Sequence, residues 1–199
     1  MIKNFFFDFG NVFINLNLEA TKNKFIELGL KTLTNKTLEK IYQYEKGLIS
    51  TNEFTTYFKS IIPNSTTENI EEAWNAILLD FPEYRLEFIE KFCQNKKCFL
   101  LSNINELHLN FIKNQLDKTF YDRFISCFDK VYYSHEINLR KPDKAIYEYV
   151  LNDNSLKAND CFFVDDKAEN IQTAKEMGFK VWLLNPEIDD IINIESINL

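Results

Sequence analysis

Phe5-Phe6-Phe7-Asp8-Phe9-Gly10-Asn11-Val12-Phe13-Ile14 opens as an apolar run and breaks on a carboxylate followed by a Gly-Asn turn signal. The run is long enough for a strand and far too short for a membrane span. A strand covered on both faces, as in a parallel sheet, reads as continuous apolar sequence. Asp8 then lies where the strand emerges, and open α/β sheets bind ligands at the carboxyl ends of their strands. Taken alone, the stretch is equally an ordinary strand with an Asp-started turn.

Three further stretches share its character. Phe99-Leu100-Leu101 runs into Ser102-Asn103, Leu139-Arg140 into Lys141-Pro142, and Cys161-Phe162-Phe163-Val164 into Asp165-Asp166. Strands are expected over 4–8, 98–101, 130–133, 160–164 and 180–184, with helical patterns over 82–93, 106–116, 144–151 and 170–177. A shorter helix or loop is expected over 121–128, and a helix or frayed tail over 187–199. Strands alternating with helices predict an α/β, doubly wound parallel sheet. A crossover needs only about a dozen residues or more, yet the second strand begins some 90 residues after the first. The gap must hold structure of its own. Helical patterns over 18–30, 37–44, 50–61 and 67–79, punctuated by Gly29, Gly47 and Pro63, predict a small inserted bundle. The division is a core of 1–15 plus 84–199 and an insertion of 16–83.

At 199 residues, with 45% hydrophobic and 27% charged composition, the chain suits one large and one small unit of a globular protein. A net charge of −7 without a basic stripe argues against nucleic acid as a partner. An acidic protein that handles phosphate must gather positive charge locally, from Arg140, Lys141 and a bound divalent cation. Cys93, Cys98, Cys127 and Cys161 have no zinc-site spacing with His108 or His135. They read as free thiols in a reducing compartment. With no secretory signal pattern and no apolar stretch of about 20 residues, a cytoplasmic protein without membrane attachment is expected. Nothing in the sequence fixes the oligomeric state.

Asp, then Ser-Asn, then Lys, then an acidic pair, in that order, resembles the four motifs of the haloacid dehalogenase-like (HAD) hydrolase superfamily. The resemblance runs from Phe5 to about Leu184. It implies a Rossmann-like core with a helical cap, and Asp8 as a nucleophile that forms an aspartyl-phosphate, splitting one hard hydrolysis into two steps. It implies Mg2+ held by Asp8, the carbonyl of Gly10 and the pair Asp165 and Asp166, with Asp166 favoured as the direct ligand. Few carboxylates with retained waters is the usual magnesium pattern. Ser102 and Asn103 would donate to phosphoryl oxygens, with Gly10 and Asn11 beside them. Lys141 would pin Asp8 and the phosphate as a point charge, and Asn170 would brace the acidic pair.

The common motif has a second Asp two residues after the nucleophile, acting as general acid and base. Here that position is Gly10, and such catalysis is typically worth about 10²–10⁴ in rate. The pattern Asp-x-Gly-Asn-Val, with Glu45-Lys46-Gly47, resembles a branch of bacterial sugar-phosphate phosphatases of the α-glucose-1-phosphate type. The function it implies is Mg-dependent hydrolysis of a small phosphorylated metabolite of the sugar-phosphate kind. The insertion would choose the substrate, with Glu45 and Lys46 as contacts. Trp74 reads as insertion core ahead of pocket wall. Two alternatives stand: a 2-haloacid dehalogenase using Asp8 on carbon, and a phosphate-ligand-binding protein that lost turnover through Gly10.

Overall fold

The computed structural model describes residues 2–197. Five strands, β1 (Asn4–Phe7), β2 (Lys97–Ser102), β3 (Lys130–Tyr133), β4 (Cys161–Asp165) and β5 (Lys180–Leu183), form one parallel sheet in the order β3-β2-β1-β4-β5. β1 is therefore central, with Phe6 facing Phe99 on one side and Phe163 on the other in register. Alternation along a strand sends neighbours to opposite faces. Phe5 and Phe7 pack on one face with α5 (Glu83–Phe92), α6 (Glu106–Gln115) and α7 (Lys118–Ser126). Phe6 packs on the other with α9 (Lys144–Asp153) and α10 (Ala168–Glu176). Two covered faces explain why β1 reads as unbroken phenylalanine.

The insertion consists of α1 (Ala20–Glu27), α2 (Asn35–Glu45), α3 (Thr51–Ile61) and α4 (Thr67–Asn75). α3 and α4 each begin with a reciprocal capping box, Ser50 with Glu53 and Thr66 with Asn69. Their buried faces, with Phe25, Tyr44, Phe54, Phe58, Ile62 and Trp74, form a third apolar cluster separate from the two on the sheet. The chain enters and leaves the insertion side by side. The Asn15 and Asn17 N–H groups donate to the carbonyls of Asp80 and Ile77, and the Leu79 N–H donates to Asn15.

Several boundaries differ from expectation. β1 stops at Phe7, though the Asp8 N–H still donates to the Val164 carbonyl at 2.9 Å. α4 ends at Asn75 because Ile77 and Leu79 pair with the incoming strand-like segment. Most of the segment 121–128 lies in α7, which ends at Ser126 and whose first turn is capped by Asp117. A short helix unforeseen in the sequence, α8 (Ser134–Ile137), follows β3 and closes on Asn138 in the left-handed conformation. Ile191–Ser196 is a 3-10 turn that buries Ile191 and Ile194 against the sheet; the expected tail beyond it lies partly outside the described residues. The four cysteines are not all free: Cys93, just past α5, is bonded to Cys98 at the start of β2, and only Cys127 and Cys161 keep thiols. Cysteine content therefore gives no support to a reducing compartment. Among the described residues, no helix is long and apolar enough to cross a membrane.

Candidate active site

Parallel strands end together, so residues just past β1, β2 and β4 meet at one edge of the sheet. Asp8 follows β1, Ser102 ends β2, and Asp165 ends β4 with Asp166 beside it. Lys141 comes in on the loop after α8, on a cis Lys141-Pro142 peptide. Its Nζ lies 2.8 Å from Asp8 Oδ1 and 2.6 Å from Asp165 Oδ2, with its side chain wholly buried. Burial works against the ammonium, but Asp165 and Asp8 outweigh it and hold its pKa above the usual lysine value. Burial pushes the Asp8 carboxyl up to about 7; Lys141 opposes that rise, while Asp165 and Asp166 add to it through like charge. Ligand atoms of Asp8, Asp165 and Asp166 all lie within 4.8 Å of one another.

The surrounding hydrogen bonds differ in kind from one carboxylate to the next. Asp165 is fully occupied: Oδ1 accepts from the Lys167 N–H and Asn170 Nδ2, and Oδ2 from Lys141 and Asn170. Asp166 Oδ2 accepts from Asn11 Nδ2 at 2.8 Å and lies 3.2 Å from Lys167 Nζ. Asn11 has a left-handed backbone, φ 56°, which Asn tolerates better than most residues. Its Oδ1 accepts from the Leu16 N–H, so its amide is committed to the turn and to Asp166. Asn103 is committed as well. Its Nδ2 donates to the Lys141 carbonyl, and its Oδ1 accepts from the Lys141 N–H. Two bonds between one side-chain amide and the backbone of one residue fix the loop that carries the ammonium.

Beside them is a cavity of about 220 Å³, which Asp8, Gly10, Ser102, Asn103, Asp166 and Asn170 line together with Glu45 and Arg140. Gly10 leaves no carboxyl there, and a Cβ at this position would come 2.7 Å from Leu16 Cδ1. Glu45 reaches the cavity from the end of α2, bonded to Arg140 Nε at 3.0 Å. Burial raises its carboxyl pKa and Arg140 partly offsets the rise. Lys46 is not with it; its ammonium pairs instead with Asp143 at 2.7 Å. The turn of these residues is clamped to the core. Ser134 Oγ donates to the Glu45 carbonyl and Asn138 Nδ2 to the Lys46 carbonyl. Gly47, at φ +63°, sits so close that a Cβ would lie 2.1 Å from the His135 carbonyl oxygen. Trp74 is buried in the insertion core, its Nε1 donating to Asn105 Oδ1.

Sequence reasoning missed the remaining walls. His108 faces the cavity, but Nε2 bonds the Trp74 carbonyl and Nδ1 bonds Asn105 Nδ2. The Trp74 carbonyl can only accept, so Nε2 carries the proton; burial lowers the ring pKa to about 4, leaving it neutral at pH 7. Leu16, Leu18, Ile77 and Leu78 make an apolar wall. In the sequence they are indistinguishable from core residues.

The haloacid dehalogenase-like hydrolase family model matches residues 2–178. The D-ribitol-5-phosphate phosphatase of Bacteroides thetaiotaomicron is 27% identical over 189 residues, covering 92% of this chain and 91% of the relative. A crystal structure of a HAD family enzyme from Bacteroides thetaiotaomicron, a magnesium complex, superposes with a TM-score of 0.82 at 31% identity, covering 91% of this chain and 92% of that one. The structure of a HAD-like family hydrolase from Porphyromonas gingivalis superposes with a TM-score of 0.79 at 28% identity, covering 92% and 90%.

Proposed function

The chain belongs to the haloacid dehalogenase-like hydrolase family, and we propose that it is a magnesium-dependent phosphatase that cleaves a small phosphorylated metabolite through an aspartyl-phosphate on Asp8. The observation that carries this reading is the buried Lys141 ammonium bridging Asp8 and Asp165 beside a third carboxylate. The donor set suits magnesium: Asp8 and Asp166 offer hard carboxylate oxygens with Asp165 close by, a repulsion that a divalent cation relieves. Asp8, the carbonyl of Gly10 and Asp166 are the residues we assign to hold it. Asp165, with both oxygens already bonded, instead orients Lys141. Bound there, the ion supplies positive charge against the approaching phosphate.

In the first step an Asp8 oxygen bonds phosphorus and the bond to the substrate's alcohol oxygen breaks. Lys141 offsets charge on Asp8 and on the transferring group, and Ser102 donates to a phosphoryl oxygen. In the second step water attacks the same phosphorus, giving its proton to the carboxylate that the first step leaves on the proton donor, and Asp8 leaves as a carboxylate. Asn103 serves by fixing the Lys141 loop, Asn11 by fixing Asp166, and Asn170 by bracing Asp165. With glycine at position 10, the proton for the departing alcohol has to come from elsewhere. Glu45, on the insertion side of the cavity with burial raising its carboxyl pKa, is the group we assign to that transfer. Lys46, facing Asp143, helps hold the turn that presents Glu45. The four-helix insertion is read as a cap. The relative that is a D-ribitol-5-phosphate phosphatase makes sugar and polyol phosphates the first candidates.

The test is phosphate release from an aryl phosphate and a panel of sugar and polyol phosphates, with magnesium, with a chelator, and with Asp8→Asn. Release that needs magnesium and vanishes in Asp8→Asn is the expected result. Halide release from 2-haloacids without metal would replace the reading with a dehalogenase. Tight binding of phosphate esters without turnover would replace it with a binding protein.

A further inference from the structure

Behind the catalytic cavity lies a second one, of about 290 Å³, between the insertion helices. The two adjoin: Leu18, Glu45, Ile77 and His108 line both. Their volumes are of the order needed to enclose a small organic molecule. The far chamber is walled by Phe25, Leu30, Leu33, Ile41 and the Trp74 ring, and Leu18 and Leu33 stand at 49% and 40% exposure. Exposed leucines continuing into an apolar interior form an apolar entrance.

The polar side chains on this wall already have partners within the protein. Thr21 Oγ1 donates to the Trp74 carbonyl, Trp74 Nε1 donates to Asn105, and both His108 nitrogens are bonded. Lys22 pairs with Glu19 and Glu45 with Arg140. A polyol brought here would strand its hydroxyls, at about tenfold in affinity for each one left unpaired. A hydrocarbon would lose nothing and gain burial.

We propose that the phosphate ester cleaved here carries an apolar alcohol, with its phosphate at Asp8 and Lys141 and its hydrocarbon part in the chamber between α1, α2 and α4. The proposal rests on the phosphatase reading and, within small phosphorylated metabolites, puts the phosphate of an aliphatic or alicyclic alcohol in place of the sugar and polyol phosphates. Glu45, shared by both cavities, then stands where the alcohol oxygen departs.

The test compares straight-chain alkyl phosphates from ethyl to decyl with ribitol 5-phosphate and an aryl phosphate. The expected kcat/KM rises about fourfold per added methylene until the chamber is filled, and the longer esters exceed ribitol 5-phosphate. Leu33→Asn, at the half-exposed rim, should flatten that rise about tenfold at its top, and Leu33→Met should restore it. A flat series, or a polyol phosphate preferred to the alkyl ester of equal carbon number, overturns the proposal while aryl phosphate release keeps the phosphatase reading. Calorimetric binding of the same esters to Asp8→Asn separates the two from the other side. Affinity of Asp8→Asn that grows with chain length, when the native protein releases no phosphate from any ester, upholds the chamber and overturns the phosphatase.

Discussion

On the floor of the cavity, Lys141, Asp8, Asp165 and Asp166 come from three distant segments and are tied by ion pairs and amide bonds. In the insertion core that backs its roof, Phe54, Phe58, Ile62 and Trp74 come from one contiguous segment and are held by aromatic and aliphatic packing. The floor depends on partners: each ion there is tolerable only because another is bonded to it. The roof depends on volume, which neighbours can partly refill. One is therefore brittle to single changes and the other graded. On the proposed reading, reaction chemistry would sit on the brittle part and choice of substrate on the graded one.

The sharpest test of that contrast is Lys141→Met. It leaves Asp8 and Asp165 buried without their cation, and we expect a loss of about 3–5 kcal/mol in stability together with loss of phosphate release. Urea unfolding and an activity assay read both; a variant as stable as the native chain would show the floor to be no more interdependent than the roof. Next comes Asn11→Ala, which removes the bond to Asp166 Oδ2. Magnesium binding measured by calorimetry should weaken by about 10–100-fold, and an unchanged affinity would separate Asp166 from the metal. On the roof, Ile62→Val deletes one buried methyl group from the insertion core. A cost of about 1 kcal/mol with aryl phosphate turnover kept would mark the graded side, whereas loss of turnover would erase the distinction. The smallest effect is expected for Lys46→Ala. Its ion pair with Asp143 is partly exposed, so the unfolding free energy should move by less than about 1 kcal/mol. A larger shift would mean that this pair, and not the backbone bonds of the same turn, seats the insertion.

Much of the floor was legible because parallel strands print themselves as apolar runs, and Asp8, Ser102 and Asp165 stand at the ends of three of them. Lys141 was legible only through its place in the order of motifs, since Leu139-Arg140 is no strand. What pairs with what was not legible. The Asn11–Asp166 bond spans 155 positions, and the Asn103 amide turns to the Lys141 peptide instead of facing the cavity as a free donor. Glu45 and Lys46 are neighbours in sequence, yet one faces the cavity and the other Asp143, because a turn sends adjacent side chains apart. The apolar chamber left no signature at all. Leu18, Leu33, Ile41 and Ile77 are the residue types that build cores, and only the packing decides which of them face empty space.

The insertion touches the core at two backbone seams: the paired segments around Asn15 and Leu79, and the turn at Gly47 pressed on His135. α4 adds a third fastening, through the Trp74 bonds to Asn105 and His108. A body fastened along one line by a hinge can swing; fastened again at two further places it is held. The leucines at 18 and 33 stand at the mouth of the far chamber, so the doorway is greased before the catalytic floor is reached. On the proposed reading, a molecule with a charged head and an oily tail would lodge its tail behind these leucines while its head met the carboxylates.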